Sequence, residues 1–251
     1  MVDLTVAMPV FKGKSIFWLA MESLCRQKDV NCTWELVVAE EQIEPFAGES
    51  AFYKYFSRLQ EVGCKDIKYI PLKEWVPLSQ KWRLLGKHAD SEMFVCQADD
   101  NYAHPYRLKE AYENINYDYI CYPHCLFYYI ANHMAYHHTI KPYKRSTKPA
   151  KGLHYSFKTE FAKKIPKSDR SIIVDQWLYD FFIKYSKNAM SHKWVLSPHW
   201  KEGFNSHGFH RLSKSRFEKH KSKAENADKY SKKWPVEIVQ RLQSLSKEAT
   251  L

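Results

Sequence analysis

The sequence predicts an α/β fold in which helices flank a mostly parallel sheet. Short apolar runs alternate with segments of helical periodicity through residues 3–115. The order strand, helix, strand, helix, strand favours parallel βαβ units with right-handed crossovers. With 251 residues, the chain has room for one large domain or for one domain with an appendage.

The first half contains four strand-like runs and three helix-like segments. We predict strands at Leu4–Met8, Trp34–Ala39, Ile67–Ile70 and Met93–Gln97, and helices at Ser15–Gln27, Ala51–Val62 and Gln80–His88. Ligands of such sheets bind beyond the carboxyl ends of the strands. Pro9, Glu40–Glu41 and Asp99–Asp100 follow three of these strands, so we expect them around one crevice.

The second half is less regular. We predict a strand at His154–Phe157 and helices at Glu160–Lys164, Asp175–Tyr185 and Val236–Ser246. Residues 141–151 are rich in Lys, Pro, Ser and Thr, which is typical of a mobile basic loop. Residues 213–235 hold eight Lys or Arg against three Asp or Glu, an excess of five in a chain of net charge +11.

Charge and composition narrow the classes of partner and compartment. A net charge of +11 indicates an anionic partner: nucleic acid, an acidic membrane face or a phosphorylated substrate. The sequence has neither an apolar run long enough to span a bilayer nor a start typical of secretion. The six cysteines form no CxxC pair and no zinc spacing. We therefore expect a reduced, cytoplasmic protein without a transmembrane segment.

The run Phe94–Asn101 is the most informative segment, because an apolar strand leads straight into two carboxylates and a carboxamide. A hard divalent cation held by oxygen ligands suits such a strand end. The alternative is an Asp-rich turn that caps a helix beginning near Pro105. The residues of this segment leave both interpretations open.

Several segments together resemble a known family. Thr5–Phe11 is similar to its opening strand, Met21–Gln27 to its first helix ("eSLxxQ") and Trp34–Glu40 to its "wELivvDD" strand. Gln97–Asn101, QADDN, is similar to its "DxDD" motif, with Gln in the leading position. In these segments the chain resembles the GT-A-fold nucleotide-sugar glycosyltransferases, in particular the inverting family 2 type.

The resemblance implies a donor site and a domain division. Pro77–Arg83 occupies the place of the family's "G-x-s-x-a-r-N" segment, so its basic side chains would reach a diphosphate or else lie on the surface. The implied donor-binding residues are Pro9, Phe11, Glu40, Glu41, Lys81, Arg83, Asp99 and Asp100. The implied domain spans residues 1–212, with a nucleotide-sugar half at 1–115 and an acceptor half at 116–212, followed by a basic helical tail at 213–251. A UDP-sugar is the default donor of the family.

The resemblance also implies a metal site for Mn²⁺ or Mg²⁺. Asp99 is the first candidate ligand, and Asn101 lies close behind it. Phe204–His210 is similar to the family's late "H-G-x-N" segment, in which a His completes the metal site. His207 is the candidate there, with His210 as the alternative.

One carboxylate is implied as the catalytic base. Gly152–Phe161 resembles the Gly-led strand and helix of the acceptor side, and Val174–Leu178 is similar to the family's "E-D-x-x-L" segment. Asp175 is the carboxylate of that segment here, because Val174 replaces the usual Glu. An Asp before an apolar-periodic run also suits a helix N-cap, and both roles can coexist.

The acceptor is open at this stage. A glycan or lipid-linked glycan is one acceptor class, and the tail would then hold the enzyme on anionic lipid. A hydroxymethylated base of viral DNA is another, since Lys and Arg interleave with aromatic residues in the tail. The tail could also serve solubility alone. The departures at Gln97, Asn101 and Val174 leave room for a catalytically degenerate binding module on the same scaffold.

Overall fold

The computed structural model describes residues 1–11, 17–44, 46–122, 124–129, 133–139, 154–169, 174–185, 189–191, 206–207, 221–223, 225–231 and 235–248. Its strands are β1 (Leu4–Val10), β2 (Trp34–Glu41), β3 (Cys64–Leu72), β4 (Met93–Cys96), β5 (Tyr119–Tyr122), β6 (His124–Tyr129), β7 (Met134–Thr139), β8 (His154–Lys158), β9 (Ala189–Ser191), β10 (Ser206–His207) and β11 (Glu225–Asn226). Its helices are α1 (Phe17–Cys25), α2 (Glu49–Tyr53), α3 (Phe56–Gln60), α4 (Leu78–His88), α5 (Arg107–Glu113), α6 (Thr159–Lys164), α7 (Val174–Tyr185), α8 (Asp228–Ser231) and α9 (Val236–Glu248). A 3₁₀ turn lies at Lys221–Lys223.

The main sheet of the described residues has seven strands in the order β3-β2-β1-β4-β8-β5-β9. β1 pairs in parallel with β2 and β4, and β2 pairs in parallel with β3. β8 is antiparallel to both β4 and β5, while β9 is parallel to β5. Six of these seven strands therefore run the same way, which confirms the predicted mostly parallel sheet.

A second sheet of four strands, in the order β10-β6-β7-β11, is built from the second half of the described chain. β6 and β7 pair antiparallel, and the short strands β10 and β11 extend this pair on its two sides. None of these four strands was predicted from the sequence. β10 and β11 pair with segments far away in the chain, and local patterns do not encode such pairings.

Alternating side chains of the central strands build a core on each face of the main sheet. Val6, Met8 and Val38 lie on the face covered by α1, α2, α3 and α5. Ala7 and Val37 lie on the opposite face, which α4, α6 and α7 cover. This is the two-sided burial that parallel strands require, and it explains why β1 and β2 are buried at every position.

β1 continues through Pro9 and ends at Val10, although a strand end at Met8 was predicted. Ala7 accepts the Gln97 N–H on the β4 side, and Pro9, two residues later, faces the same side. The pairing of β1 with β4 stops at Ala7. An N–H at position 9 would point beyond the end of β4, where no strand of the described chain pairs with β1. The proline, which lacks this N–H, therefore costs the sheet no hydrogen bond.

The helix predicted at Ala51–Val62 forms instead as the two short helices α2 and α3. Gly48 precedes α2 with a φ of 79°, a conformation that favours glycine. α4 and α6 approach each other closely at Gly86, where an added Cβ would lie 2.4 Å from the Cβ of Ala162.

The cysteine side chains that the structure describes, Cys25, Cys32, Cys64 and Cys96, are free thiols. Burial raises the pKa of the Cys25 thiol to about 11 and those of the Cys32 and Cys64 thiols to about 12. These three side chains therefore act as small apolar groups. Within the described ranges, no helix is long and apolar enough to cross a bilayer.

Candidate functional site

The carboxyl ends of β1, β2 and β3 lie in register at one edge of the main sheet. Val10 pairs with Glu40, and Glu41 pairs with Leu72 at the end of β3. β4 joins the same edge, because Ala7 pairs with Cys96 and the residue after β4, Gln97, donates its N–H to the Ala7 carbonyl. Most of the donor-site residues predicted from the sequence therefore lie along this edge.

The segment after β4 is fixed to the end of β1 by Asp99. The backbone N–H of Phe11 donates a hydrogen bond of 3.1 Å to Asp99 Oδ2. Asp99 and Asp100 are largely buried, at 7% and 8% relative exposure. This contact places a carboxylate oxygen at the strand ends.

Gln97, one of the residues that depart from the family pattern, stabilises the same segment by two hydrogen bonds. Its Nε2 donates to the carbonyl oxygens of Ala98 at 3.0 Å and Asn101 at 2.8 Å. An aspartate in this place could not donate to either carbonyl. The glutamine therefore fixes the turn that carries Asp99 and Asp100. The sequence pattern marked position 97 as a departure but did not reveal this contact.

Asn101 carries an oxygen that is suited to a cation. Its side chain is 2% exposed, and its Oδ1 has no hydrogen-bond partner within the described part of the chain. A buried oxygen without a partner is costly, and a hard divalent cation accepts both amide and carboxylate oxygens. The donor set of Asp99, Asp100 and Asn101 therefore fits Mn²⁺ or Mg²⁺.

The protein ligands near this turn are few. Among the described residues, no group of three or more His, Cys, Asp or Glu side chains could hold a metal ion by itself. Mg²⁺ in nucleotide enzymes is commonly held by one or two carboxylates together with substrate phosphates and waters. A sparse ligand set is thus compatible with a cation that arrives with a nucleotide.

Lys81 lies beneath this edge rather than on its surface. Its side chain is 4% exposed and forms an ion pair with Glu41, whose side chain is fully buried. The ammonium group also donates to the carbonyl of Val10 at 2.7 Å and lies 5.6 Å from the centroid of the Phe11 ring. Lys81 therefore fixes the ends of β1 and β2 together. The Nε of Arg83, on the same helix, is buried without a hydrogen-bond partner in the described residues.

Glu40 forms its hydrogen bonds on the opposite face of β2 from Glu41. Its carboxylate accepts the backbone N–H groups of Ala47 at 2.8 Å and Gly48 at 3.0 Å, and the Tyr69 hydroxyl at 2.9 Å. Burial and the hydrogen bond to Glu40 raise the pKa of the Tyr69 hydroxyl. Glu40 thus holds the start of α2 against β3.

The structure describes the backbone of Asp175 but not its side chain. Near the C-terminal end of α7, Phe182 stacks on Tyr119, the first residue of β5. Asp175 lies seven residues earlier in α7, about 10 Å along the helix axis. α7 leads into β9, which runs parallel to β5, so its first turn points toward the carboxyl edge of the sheet.

His207 lies in β10, where its backbone pairs with Phe127 of β6 in the second sheet. Its side chain, and all of His210, lie outside the described residues. The basic loop predicted at residues 141–151 lies outside them as well.

No family model and no curated protein matches this chain. Solved structures do match. The structure of S. aureus TarS 1–349 in complex with UDP-GlcNAc aligns with a TM-score of 0.60 and 12% identity, over 84% of this chain and 60% of that one. The mannosyltransferase PcManGT from Pyrobaculum calidifontis, in complex with GDP-Man and Mn²⁺, aligns with a TM-score of 0.55 and 12% identity. This alignment covers 99% of this chain and 72% of the mannosyltransferase chain.

A longer S. aureus TarS structure aligns with a TM-score of 0.56 and 13% identity. The alignment covers 76% of this chain but only 35% of that TarS chain. At identities of 12–13% the likeness establishes the fold alone. It confirms the GT-A-like fold class.

Proposed function

We propose that this protein is a metal-dependent glycosyltransferase, which moves a sugar from a nucleoside diphosphate donor to an acceptor hydroxyl with inversion. The observation that carries the proposal is the turn at Asp99–Asn101. It combines a carboxylate tied to the end of β1 with a buried amide oxygen that has no hydrogen-bond partner among the described residues. The turn lies where an open α/β sheet binds its ligands, in a fold shared with structures that hold UDP-GlcNAc and GDP-Man.

In this proposal Asp99, Asp100 and Asn101 hold Mn²⁺ or Mg²⁺ against the donor diphosphate, with His207 as a further candidate ligand. The cation would neutralise negative charge on the leaving diphosphate. Pro9 and Phe11 would border the nucleoside at the end of β1. Lys81, Glu40 and Glu41 would act indirectly, because their contacts fix the strand ends on which the donor lies. Of Lys81 and Arg83, the two basic residues implied from the sequence, Arg83 is left as the candidate for direct contact with the diphosphate.

Asp175 would act as the general base. An acceptor hydroxyl that attacks the anomeric carbon must lose its proton, and a carboxylate at the first turn of α7 can accept it. The attack displaces the diphosphate from the opposite face, which inverts the configuration. We take the acceptor to be a hydroxyl of a glycan or lipid-linked glycan.

A thermal-shift screen of nucleotide-sugars, each with Mn²⁺ and with EDTA, tests the proposal. UDP-GlcNAc and GDP-Man come first. A ligand that binds the folded state alone stabilises it by about 2.7 kcal/mol at 100 times its Kd. We expect a rise in Tm with one donor class that EDTA abolishes. Asp99→Ala should lose the rise, and Asp66→Asn, which removes an exposed carboxylate of β3, should keep it.

Two results would argue against the proposal. No shift with any donor would favour a binding module without transferase activity. A shift with duplex DNA that disappears steeply with added salt, and no shift with any nucleotide-sugar, would favour nucleic-acid binding instead.

A further inference from the structure

The C-terminal helix α9 is packed onto the molecule by its apolar face. Ile238 and Leu242, one turn apart, are 3% and 0% exposed. They belong to one apolar cluster with Trp18 and Leu19 of α1 and with Tyr102. Val239 and Leu245 pack at its margin. Val236, the first residue of α9, remains exposed, at 67%.

Charged contacts flank this apolar face and fix its position on α1. Glu237, in the first turn of α9, pairs with Arg26 just beyond the end of α1. One turn later, the Arg241 guanidinium lies 4.0 Å from the centroid of the Trp18 ring, well within the range of a cation–π contact. The apolar face that a lipid surface would need is therefore taken up within the molecule.

Tyr102 links this cluster to the candidate metal turn, because it directly follows Asn101 in the chain. Its side chain is 7% exposed. The side chain packs in the apolar cluster that also contains residues of α1 and α9. Consecutive Cα atoms are about 3.8 Å apart, so a displacement of the Tyr102 backbone would also move Asn101.

We propose that α9 is a positioning element of the donor site: through Leu242 and Tyr102 it holds the Asp99–Asn101 turn in its binding geometry. The proposal rests on the function proposed above. The last helix of the described chain would then belong functionally to the nucleotide-binding half rather than to a separate tail.

The physical basis is that a ligand turn must be held by its surroundings. Gln97 and Phe11 fix the turn from the sheet side. On its other side, the Tyr102 side chain packs in the apolar cluster that includes residues of α1 and α9. Leu242→Ala would leave a cavity in this cluster, and surrounding side chains relax only partly into such a cavity. The turn would then sample more conformations, and its oxygens would meet a cation less often in the right arrangement.

The test compares Leu242→Ala in the full chain with two other variants. Leu242→Met keeps most of the side-chain volume, and Val236→Ala shortens an exposed residue of the same helix. The first readout is hydrogen exchange at the amides of Gln97 and Asn101, which donate to Ala7 and Ala98. Exchange is measured well below each Tm. We expect faster exchange at these amides in Leu242→Ala alone, with no change in the amides of β2.

The second readout is the Kd for nucleotide in the presence of Mn²⁺. Removing supports of metal ligands commonly costs 10- to 100-fold in metal affinity, so we expect a loss of roughly tenfold in Leu242→Ala. Leu242→Met and Val236→Ala should bind like the wild type. If Leu242→Ala does not fold, Ile238→Val makes a smaller cavity in the same cluster.

A Leu242→Ala protein with a lower Tm but unchanged exchange at Gln97 and Asn101 and an unchanged Kd would overturn the proposal, since α9 would then serve stability alone. If the wild type binds no nucleotide, the proposed function fails. The exchange readout still decides the positioning role, because it needs no ligand.

Discussion

The backbone N–H of Phe11 and the carboxylate of Asp99, 88 positions apart in the sequence, meet in a hydrogen bond of 3.1 Å at the end of the parallel sheet. The contact joins the end of β1 to the turn after β4. In the proposed function the end of β1 would border the nucleoside, and the turn would hold the cation against the donor diphosphate. This hydrogen bond therefore couples the conformation of the end of β1 to that of the Asp99–Asn101 turn.

Asp99→Asn should separate the charge of this carboxylate from its hydrogen bond. An amide oxygen can still accept the Phe11 N–H, but it carries no charge to offer a cation. We expect stability close to the wild type and a loss of Mn²⁺-dependent nucleotide binding. Asp99→Ala should lose binding and, in addition, roughly 1–3 kcal/mol of stability, because the N–H is left without its acceptor.

Calorimetric titration with nucleotide and Mn²⁺, together with urea unfolding, checks both Asp99 variants. Asp66→Asn controls for the removal of one exposed carboxylate. Wild-type affinity in Asp99→Asn would show that the charge of Asp99 does not contribute to the site.

Lys81→Met should be strongly destabilising. It leaves the fully buried Glu41 without its cation and the Val10 carbonyl without its donor. Removing one partner of a buried pair typically costs about 3–5 kcal/mol. The double variant Lys81→Met with Glu41→Gln should recover much of this loss in urea unfolding, because no unpaired charge remains.

The same double variant tests whether Lys81 contacts the donor. If the lysine acts only by fixing the strand ends, the folded double variant should bind nucleotide with nearly the wild-type Kd. A large loss of affinity at a temperature where the protein is folded would instead indicate direct contact with the diphosphate.

Local sequence patterns predicted the carboxyl ends of β1, β2, β3 and β4 to within two residues, because apolar runs are local features. The sequence was a poorer guide to the direction in which each side chain points. Glu40 and Glu41 are adjacent in β2, so they point to opposite faces of the sheet. Glu40 meets Ala47 and Gly48, and Glu41 meets Lys81. The sequence marked both as donor-binding residues, and only the tertiary structure shows what each carboxylate touches.

The sequence also did not predict which residues α9 packs against. Its amphipathic pattern predicted the helix, whose actual end at Glu248 lies two residues past the predicted one. The pattern could not say what covers the apolar face, since a lipid surface and a neighbouring helix select the same residues. The contact with Trp18 and Tyr102 is a long-range one.

Gly86→Ala should destabilise the protein even though alanine favours helices over glycine by about 1 kcal/mol. The new Cβ would lie 2.4 Å from the Cβ of Ala162 and 2.9 Å from its carbonyl carbon, so α4 and α6 would have to move apart. Overpacking of this kind typically costs roughly 1–3 kcal/mol. Urea unfolding measures the loss, with Lys87→Ala, at an exposed position of the same helix, as the control. Adding Ala162→Gly should restore part of the lost stability. A Gly86→Ala protein more stable than the wild type would contradict the close approach of α4 and α6.

Glu22 should make stability depend on pH in acid. The Arg58 guanidinium, with Nη1 at 2.7 Å and Nη2 at 2.8 Å from the carboxylate oxygens, lowers the pKa of Glu22 below its ordinary value of 4.5. A lowered pKa in the folded state adds stability above that ordinary value, and the gain disappears as the pH falls through the folded-state pKa. Since Arg58 is 43% exposed, we expect Glu22→Gln to cost only about 0.5–1 kcal/mol near neutral pH.

Urea unfolding of the wild type and Glu22→Gln, at neutral pH and at about pH 3, checks this sign. The difference between the two proteins should shrink in acid. Glu160→Gln, which removes an exposed pair with Lys164, should show little change at either pH. A difference that grows as the pH falls would exclude a stabilising Glu22–Arg58 pair.

Asp175→Asn should separate donor binding from transfer. The amide keeps the size of the side chain, but it cannot take a proton from an acceptor hydroxyl. We expect an unchanged thermal shift with nucleotide and Mn²⁺, and a loss of transfer by roughly 10²–10⁴-fold, the usual contribution of general-base catalysis. Asp180→Asn, at an exposed position of the same helix, is the matched control. Unchanged turnover in Asp175→Asn would remove Asp175 from the mechanism, and the base would then have to be sought elsewhere along the carboxyl edge of the sheet.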